Sequence, residues 1–316
     1  MTVKPTLSDL QASVQDRTAF GRIEDYHTLA CAYLDLLADI QPTRIVSPSD
    51  HRYIFYQYSE AYGHKLTRPL NSDLFIENTH DFRVGFERFL AFLDDLNHYG
   101  QATGDSLSAQ AYLKTNEINK IVYTCQQIVG SIGDSFESPN QSRKRTGQLF
   151  EGMMKLIVQA IGFTCESRTI SVPIPDSPDF TMSYELDLVF SKKGAILASE
   201  SELLHPDEVV GSVKTTSKDR IDKIFLDKFM LAKLLGRDIK MIAIFLHDVQ
   251  RASRANSIFG INSTFKTNHF LGYTVALNRM DGIYYVDPRP EMATDPRLKD
   301  EIHDLQHLLT HDIWQL

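Results

Sequence analysis

The chain has 316 residues, of which 42% are hydrophobic and 23% charged, and its formal net charge is −8. A chain of this length and composition can bury one sizeable core and a smaller second one. The acidic balance argues against indiscriminate adhesion to nucleic acid, because a polyanion repels a uniformly acidic surface. It leaves room for a specific site, since basic groups need to line only one cleft.

Several other classes of protein are disfavoured by the sequence. No run approaches the roughly 20 apolar residues of a membrane span, and residues 1–15 lack the basic and apolar regions of a signal peptide. Cys31, Cys125 and Cys165 form no Cys-x-x-Cys pair, so neither a disulfide framework nor a structural zinc site built on cysteine is indicated. Because neither a membrane span nor a signal peptide is indicated, we expect a cytoplasmic protein with no membrane contact. We see no glycine-rich phosphate loop and no Ser-His-Asp pattern, and we expect no nucleotide cofactor.

The first part of the chain is predicted to be mainly helical. Apolar residues recur with helical spacing over 26–40, 82–96 and 118–132. A cluster of Gly, Pro, Ser and Asn at 133–142 then indicates a boundary. We therefore predict a mainly helical N-terminal region over residues 1–130, with DNA contacts or a dimer surface, and a second domain over 131–316.

The second part is predicted to be of mixed α/β class. Residues 146–161 have the apolar face of an amphipathic helix, which Gly162 would end. A second amphipathic segment runs from Ile221 to Leu235. Runs rich in strand-forming residues predict strands at 167–174, 184–190, 194–199, 208–214, 240–247, 272–278 and 282–286.

Two charged residues in apolar strands carry the first chemical signal. Asp187 interrupts the predicted strand 184–190, and Lys214 ends the strand 208–214. A buried unpaired carboxylate costs several kcal/mol, so such a group usually has a cationic or metal partner. Their separation (214 − 187 = 27 residues) allows a hairpin that brings both side chains to one end of a sheet. An acid and a lysine on adjacent strands suit a metal-dependent nuclease. The alternative for Asp187 is the solvent face of an edge strand.

Ser212 stands two residues before Lys214, where the PD-(D/E)XK nuclease motif usually has an acid. This pattern resembles Type II restriction endonucleases that cut CCGG, CCNGG or CCWGG, which carry Ser-x-Lys and move the acid onto the following helix, about 13 residues after the lysine. Here 214 + 13 gives Asp227, which borders the apolar stripe of the 221–235 helix. The resemblance implies a PD-(D/E)XK core, a central mixed sheet flanked by helices. It also implies catalytic roles for Asp187, Ser212, Lys214 and Asp227, with Mg²⁺ held by Asp187 and Asp227.

The relocated acid has a competitor and an alternative explanation. Asp222 lies on the same predicted helix. Either Asp222 or Asp227 could instead form a surface salt bridge with Lys223 or Lys228.

A basic, acidic, basic triplet follows the lysine. Lys218, Asp219 and Arg220 stand four, five and six residues after Lys214. In the enzymes that the chain resembles, a similarly placed triplet contacts the two G·C pairs of each half-site. The chemistry agrees, because Lys or Arg donates to guanine O6 and N7 and an acid accepts from cytosine N4. The alternative is an ordinary charged first turn of a helix.

Three further residues are suggested by the resemblance. Glu151, on the helix before the core, is a supporting acid, although an ion pair with Lys155 explains it nearly as well. Arg52 and Tyr56 are four residues apart, so they share one face if this segment is helical. In the resembled enzymes such a pair cradles a central base that is rotated out of the duplex. Aromatic residues in a core are the competing explanation.

Together these features predict Mg²⁺-dependent, sequence-specific cleavage of double-stranded DNA at a short palindrome containing CC(N)GG. The resemblance implies a homodimer. A two-fold protein suits a two-fold duplex because its two subunits together present one active site to each strand. The alternatives are a non-specific or repair nuclease of the same fold, and a sequence-specific DNA-binding protein with weak catalysis.

Overall fold

The structure, a computed structural model, describes residues 5–192, 203–218 and 220–316. The chain forms two compact units. The first comprises Met1–Phe92, Ala111–Met153 and Asp248–Thr264, and the second comprises Leu93–Gln110, Met154–His247 and Phe265–Leu316. The predicted boundary at 130–131 falls inside a helix, and the functional division between 1–130 and 131–316 stays a prediction. Among the described helices, none has the length and apolar character needed to cross a membrane.

The α-helices of the described residues are α1 (Leu7–Gln15), α2 (Ile23–Ile40), α3 (Thr79–Tyr99), α4 (Gln101–Asp105), α5 (Leu107–Leu113), α6 (Glu117–Gly133), α7 (Pro139–Ala160), α8 (Ile221–Leu235), α9 (Thr267–Ala276), α10 (Pro290–Thr294) and α11 (Leu305–Thr310). The strands are β1 (Thr43–Val46), β2 (Tyr53–Gln57), β3 (Leu70–Asn71), β4 (Phe163–Ile174), β5 (Ser177–Lys192), β6 (Val209–Thr216), β7 (Lys240–His247), β8 (Val249–Arg254), β9 (Ser257–Ser263), β10 (Gly282–Tyr285) and β11 (Ile302–Asp304). The helices predicted from apolar spacing are confirmed as α2, α3, α6, α7 and α8.

The first unit contains two small antiparallel sheets besides its helices. One has the strand order β1-β2-β3, and the other is the β8-β9 hairpin. Tyr53 and Phe55 of β2 pack against Val249 and Ile261 of the hairpin in one buried cluster. This unit is therefore mainly helical but not entirely so.

The tyrosine-rich segment that includes Arg52 and Tyr56 is not helical. Tyr53 to Tyr56 form the buried part of strand β2, and Arg52 lies in the turn before it. The helical interpretation was wrong because Tyr53 to Tyr56 are all buried. Burial of every residue removes the alternation of buried and exposed side chains that identifies a strand in the sequence. Four residues span roughly 13 Å along a strand, compared with about 6 Å along a helix, so the predicted shared helical face does not exist.

The second unit is built on a six-stranded mixed sheet with the order β11-β10-β7-β6-β5-β4. Strands β6, β7, β10 and β11 are parallel, and β5 and β4 continue the sheet with antiparallel pairing. Helices α8 and α9 contribute Phe225 and Phe270 to the main buried cluster on this sheet. The predicted mixed sheet flanked by helices is confirmed.

Two strand predictions in this unit had a different outcome. Residues 272–278 were predicted as a strand, but most of them belong to helix α9. Their strand-forming side chains do not determine the local structure, because Val275 is 87% exposed and gains nothing from a sheet. Phe270 is buried and anchors the helix in the core. The predicted strand at 194–199 lies outside the described residues.

Candidate active site

Asp187 lies on β5 at the point where β5 separates from β6. The antiparallel pairing of the two strands ends at Leu188 and Gly211. The Asp187 carboxylate fills the gap, because its Oδ2 accepts a hydrogen bond from the Val213 amide at 2.8 Å. The side chain is only 16% exposed, yet it is well paired, as a buried carboxylate must be.

Lys214 and Ser212 approach the same carboxylate from β6. The Lys214 Nζ forms an ion pair with Asp187 Oδ2, and the Ser212 hydroxyl donates to that oxygen at 3.4 Å. Residues 212 and 214 share one face of the strand because side chains alternate along it. The acid on β5 and the amine on β6 therefore meet, as their spacing in the sequence predicts.

Asp227 lies in the middle of helix α8, with its side chain 29% exposed. Its Oδ2 is 3.5 Å from the Nζ of Lys223, one helical turn earlier. Burial raises the pKa of Asp227, and the neighbouring Asp187 adds to this, while Lys223 and Lys214 oppose it. The raised pKa therefore reflects mainly the removal of this carboxylate from water, which the two lysines only partly offset.

A cavity of about 70 Å³ brings these groups together. It is lined by Asp187, Ser212, Lys214 and Asp227, and Arg220 also reaches it. A volume of this order has room for a few water molecules. We call it the active-site cavity below.

The two candidates for the relocated acid lie in different surroundings. Asp227 lines the active-site cavity, whereas Asp222 is exposed in the first turn of α8 and is not among the lining residues. The predicted alternative, a salt bridge between Asp227 and Lys223, is also present. The other predicted partner, Lys228, instead pairs its buried ammonium with Asp281 at 2.6 Å.

Glu185 lines the same cavity and was missed by the sequence analysis. A signal was available, because Glu185 precedes Asp187 by two residues on one strand and therefore shares its face. Its exposed carboxylate adds a third acid to the lining of the active-site cavity.

The predicted recognition triplet stands immediately before α8. Arg220 is the residue that precedes the first helical turn, and its amide donates to the Ser217 carbonyl at 3.2 Å. Lys218 is exposed in the same turn. Asp219 lies outside the described residues. Arg220 is the triplet member seen at the active-site cavity.

The remaining predicted residues belong to the first compact unit. Glu151 lies half-buried on α7. Arg52 forms a two-pronged ion pair with Asp50, with contacts of 3.1 and 2.6 Å. Tyr56 is 6% exposed, and its hydroxyl donates to the Glu77 carboxylate. Functional roles for these three residues stay predictions.

Among solved structures, the chain is similar to the Type IIP restriction endonuclease Kpn2I, with 20% identity and a TM-score of 0.68 over 98% of this chain and 96% of that one. A second similarity is to the restriction endonuclease PspGI in its complex with substrate DNA, with 10% identity and a TM-score of 0.38 over 63% of this chain and 78% of that one. No protein-family model and no curated protein matches the sequence. The likeness to Kpn2I shows that the chain has the fold of this restriction endonuclease.

Proposed function

We propose that the protein is a Type II restriction endonuclease that hydrolyses double-stranded DNA with Mg²⁺. The observation that carries the proposal is the meeting of Asp187, Lys214 and Asp227 around one cavity, from three separate elements. The fold shared with a Type IIP restriction endonuclease supports the same conclusion. Two carboxylates can hold the metal ion for hydrolysis of a phosphodiester, and a lysine can stabilise the charge that develops on it.

The residues at the active-site cavity fit a magnesium ion. Mg²⁺ prefers carboxylate and water oxygens and keeps several of its waters. Asp187 and Asp227 supply the carboxylates, and both line the same cavity. When bound, the ion would polarise the scissile phosphate and lower the pKa of a bound water.

The protein's own side chains would orient the attacking water and stabilise the charge that develops during hydrolysis. The Lys214 ammonium, held by Asp187, is placed to orient the attacking water and to stabilise the charge that develops on the phosphoryl oxygens. Ser212 keeps Asp187 in position through its hydroxyl. Hydrolysis adds water across one P–O bond, so no further reactant is needed. Glu151 is retained as a supporting acid.

We assign recognition of the CC and GG steps to Lys218, Asp219 and Arg220. The placement of Lys218 and Arg220 immediately before α8 supports this, because side chains at the start of a helix can reach base edges in the major groove. Arg220 also lies at the active-site cavity, which would couple reading of a base pair to cutting beside it.

The finer features rest on the resemblance in sequence. They are a CC(N)GG-containing palindrome, a homodimer, and a central base rotated out of the duplex and held by Arg52 and Tyr56. For the last feature, the strand conformation of β2 gives no support, since the pairing of Arg52 and Tyr56 assumed a helix. Light scattering with and without a duplex would test the dimer.

Digestion of plasmid and long linear DNA with Mg²⁺ tests the proposal. Discrete bands are expected from the wild type, and sequencing of the fragment ends would report the site and the stagger. The Lys214→Ala variant should cut about 10²- to 10³-fold more slowly. Lys233→Ala, which removes an exposed lysine of α8 that stacks on Phe229 outside the active-site cavity, should cut normally.

Other outcomes of this experiment would correct the proposal. A smear would indicate a non-specific or repair nuclease. Shifts of a duplex in a gel without cleavage would indicate a DNA-binding protein with weak catalysis. Neither cleavage nor binding of any duplex would reject a role in DNA recognition.

A further inference from the structure

A second cluster of potential ligands lies in the same unit, outside the active-site cavity. His303, His307 and Asp312 each offer one donor atom, and these atoms lie within 4.8 Å of one another. We call these three residues the His-Asp group. None of them lines the active-site cavity.

The parallel pairing of β10 and β11 positions two parts of this group. The register places Tyr284 beside His303, so both side chains share one face of the sheet. The buried Tyr284 hydroxyl donates to Asp312 Oδ2 at 2.8 Å. Tyr284 therefore lies beside His303 and also orients the carboxylate of Asp312.

Helix α11 positions the second ligand. Asp304 caps the helix, with its Oδ1 accepting from the His307 amide at 2.8 Å. The His307 Nε2 then lies 3.2 Å from Asp312 Oδ1. The His303 and His307 rings stack with their centroids 4.2 Å apart. The two imidazoles and the carboxylate are held by backbone and side-chain contacts rather than by solvent alone.

Asp312 is fixed by the turn that follows α11. It begins a 3-10 turn, Asp312–Trp314, in which the Trp314 indole donates to the Leu309 carbonyl at 2.9 Å. The same indole packs edge-on against Phe163, with centroids 5.1 Å apart. Anchoring of Trp314 in this way holds the turn, and with it Asp312, against the sheet.

The group opens on a large cavity. His303 and Asp312 line a cavity of about 660 Å³, which Asp300 and Glu301 also reach. An ion at the group would therefore be accessible, and solvent could fill a coordination position that the protein leaves open.

We propose that His303, His307 and Asp312 bind a divalent transition-metal ion, best matched by Zn²⁺, as a site separate from the magnesium site. Two imidazoles and a carboxylate are donors that suit Zn²⁺ and its neighbours rather than Mg²⁺, which prefers oxygen alone. Bonds of about 2.1 Å around a tetrahedral ion put ligand atoms roughly 3.4 Å apart. The donor atoms lie within 4.8 Å of one another, and rotation of the stacked imidazoles would be needed to aim them at one ion.

The Tyr284 contact has the form of a supporting interaction at a metal site. Ligating carboxylates are commonly held by a further hydrogen bond, and loss of such a bond weakens metal binding by about 10- to 100-fold. The Tyr284 hydroxyl supplies this bond to the oxygen of Asp312 that does not face His307. This bond makes the proposal testable without touching a ligand.

Titration of the metal-free protein with Zn²⁺, against a chromophoric zinc indicator, tests the proposal. One ion per chain is expected for the wild type, and Co²⁺ should give the visible absorption bands of a low-symmetry, non-octahedral site. His307→Ala should weaken Zn²⁺ binding by at least about 100-fold, since a lost ligand costs more than a lost supporting bond. Tyr284→Phe should weaken it by about 10- to 100-fold.

His311→Ala is the matched control. The His311 ring stacks on His307 with centroids 5.0 Å apart, but it is not a member of the group. Its removal should leave affinity within about threefold of the wild type. All titrations are repeated in an Asp187→Asn background, which weakens Zn²⁺ binding at the active-site cavity so that the ion counted is the one at the His-Asp group. Thermal unfolding identifies any variant that fails to fold. Should His307→Ala fail to fold, Asp312→Asn replaces it.

Three results would overturn the proposal. They are the absence of stoichiometric binding, binding that His307→Ala leaves unchanged, and an equal loss in His311→Ala. Any of these would reduce the group to an ordinary His-Asp ion pair. None depends on whether the protein cuts DNA.

Discussion

The active-site cavity and the His-Asp group belong to one compact unit but are assembled in opposite ways. Asp187, Lys214 and Asp227 come from β5, β6 and α8, and only the fold brings them together. His303, His307 and Asp312 lie within one short stretch of chain, on β11, α11 and the following turn. The first site offers oxygen donors beside a lysine, and the second offers mainly imidazole. Under the two proposals above, the first donor set suits Mg²⁺ and the second suits Zn²⁺.

The largest expected effect tests whether the two sites are independent. Lys214→Ala should lower the rate of plasmid cleavage by about 10²- to 10³-fold, the usual cost of losing one group that stabilises a transition state. Zn²⁺ affinity should not change, because Lys214 lines the active-site cavity and no member of the His-Asp group does. Initial cleavage rates and the indicator titration, made on the same preparation, measure both. Unchanged cleavage would show that the active site has been misassigned.

The second prediction concerns stability. Zn²⁺ at 100 times its dissociation constant should raise the free energy of unfolding by about 2.7 kcal/mol, because a ligand that binds only the folded state stabilises it by mass action. Thermal unfolding of the metal-free protein, with and without Zn²⁺, measures this. His307→Ala should show almost no gain, and His311→Ala should show the full gain. A gain of equal size in all three proteins would place the ion elsewhere.

These two sites also differ in what the sequence could predict. The approach of Asp187 to Lys214 could be predicted because two consecutive strands that pair in antiparallel fashion bring residues from both to one end of the sheet. The position of Asp227 followed from a spacing, and the helix predicted around it is present with the same bounds. The catalytic roles of all these residues remain predictions.

The His-Asp group could not be predicted in the same way. Its geometry depends on the parallel register of β10 with β11 and on a 3-10 turn anchored by Trp314, and neither follows from a periodic pattern. The tyrosine-rich segment failed for a related reason. Burial of Tyr53 to Tyr56 comes from tertiary packing, which hides the alternation on which a strand prediction relies.

The third prediction compares two acids of α8. Asp227→Asn should lower cleavage at low Mg²⁺ by at least about 10-fold, since the loss of a ligand costs no less metal affinity than the 10- to 100-fold loss of a supporting bond. Asp222→Asn removes the same charge from the same helix, but from an exposed side chain outside the active-site cavity, and should cut normally. The Mg²⁺ dependence of the initial rate separates the two. Equal losses would mean that net charge, not position, matters.

The smallest expected effect has the opposite sign, and it links function to stability. Burial raises the pKa of Asp227, so the folded protein disfavours the charged form of this side chain. Its ion pair with Lys223 offsets this weakly, because the Lys223 side chain is 66% exposed.

We therefore expect Asp227→Asn to raise the free energy of unfolding by a few tenths to about 1 kcal/mol without divalent ions, a gain typical of relieving strain at a functional site. Urea unfolding in a chelating buffer measures the gain, with Asp222→Asn as the reference. The difference from the wild type should shrink as the pH falls through the raised pKa, because Asp227 is then neutral as well. A loss of stability in Asp227→Asn would instead mean that the carboxylate stabilises the fold. That result would count against Asp227 as a Mg²⁺ ligand, since the proposal expects this carboxylate to lower stability when no ion is bound.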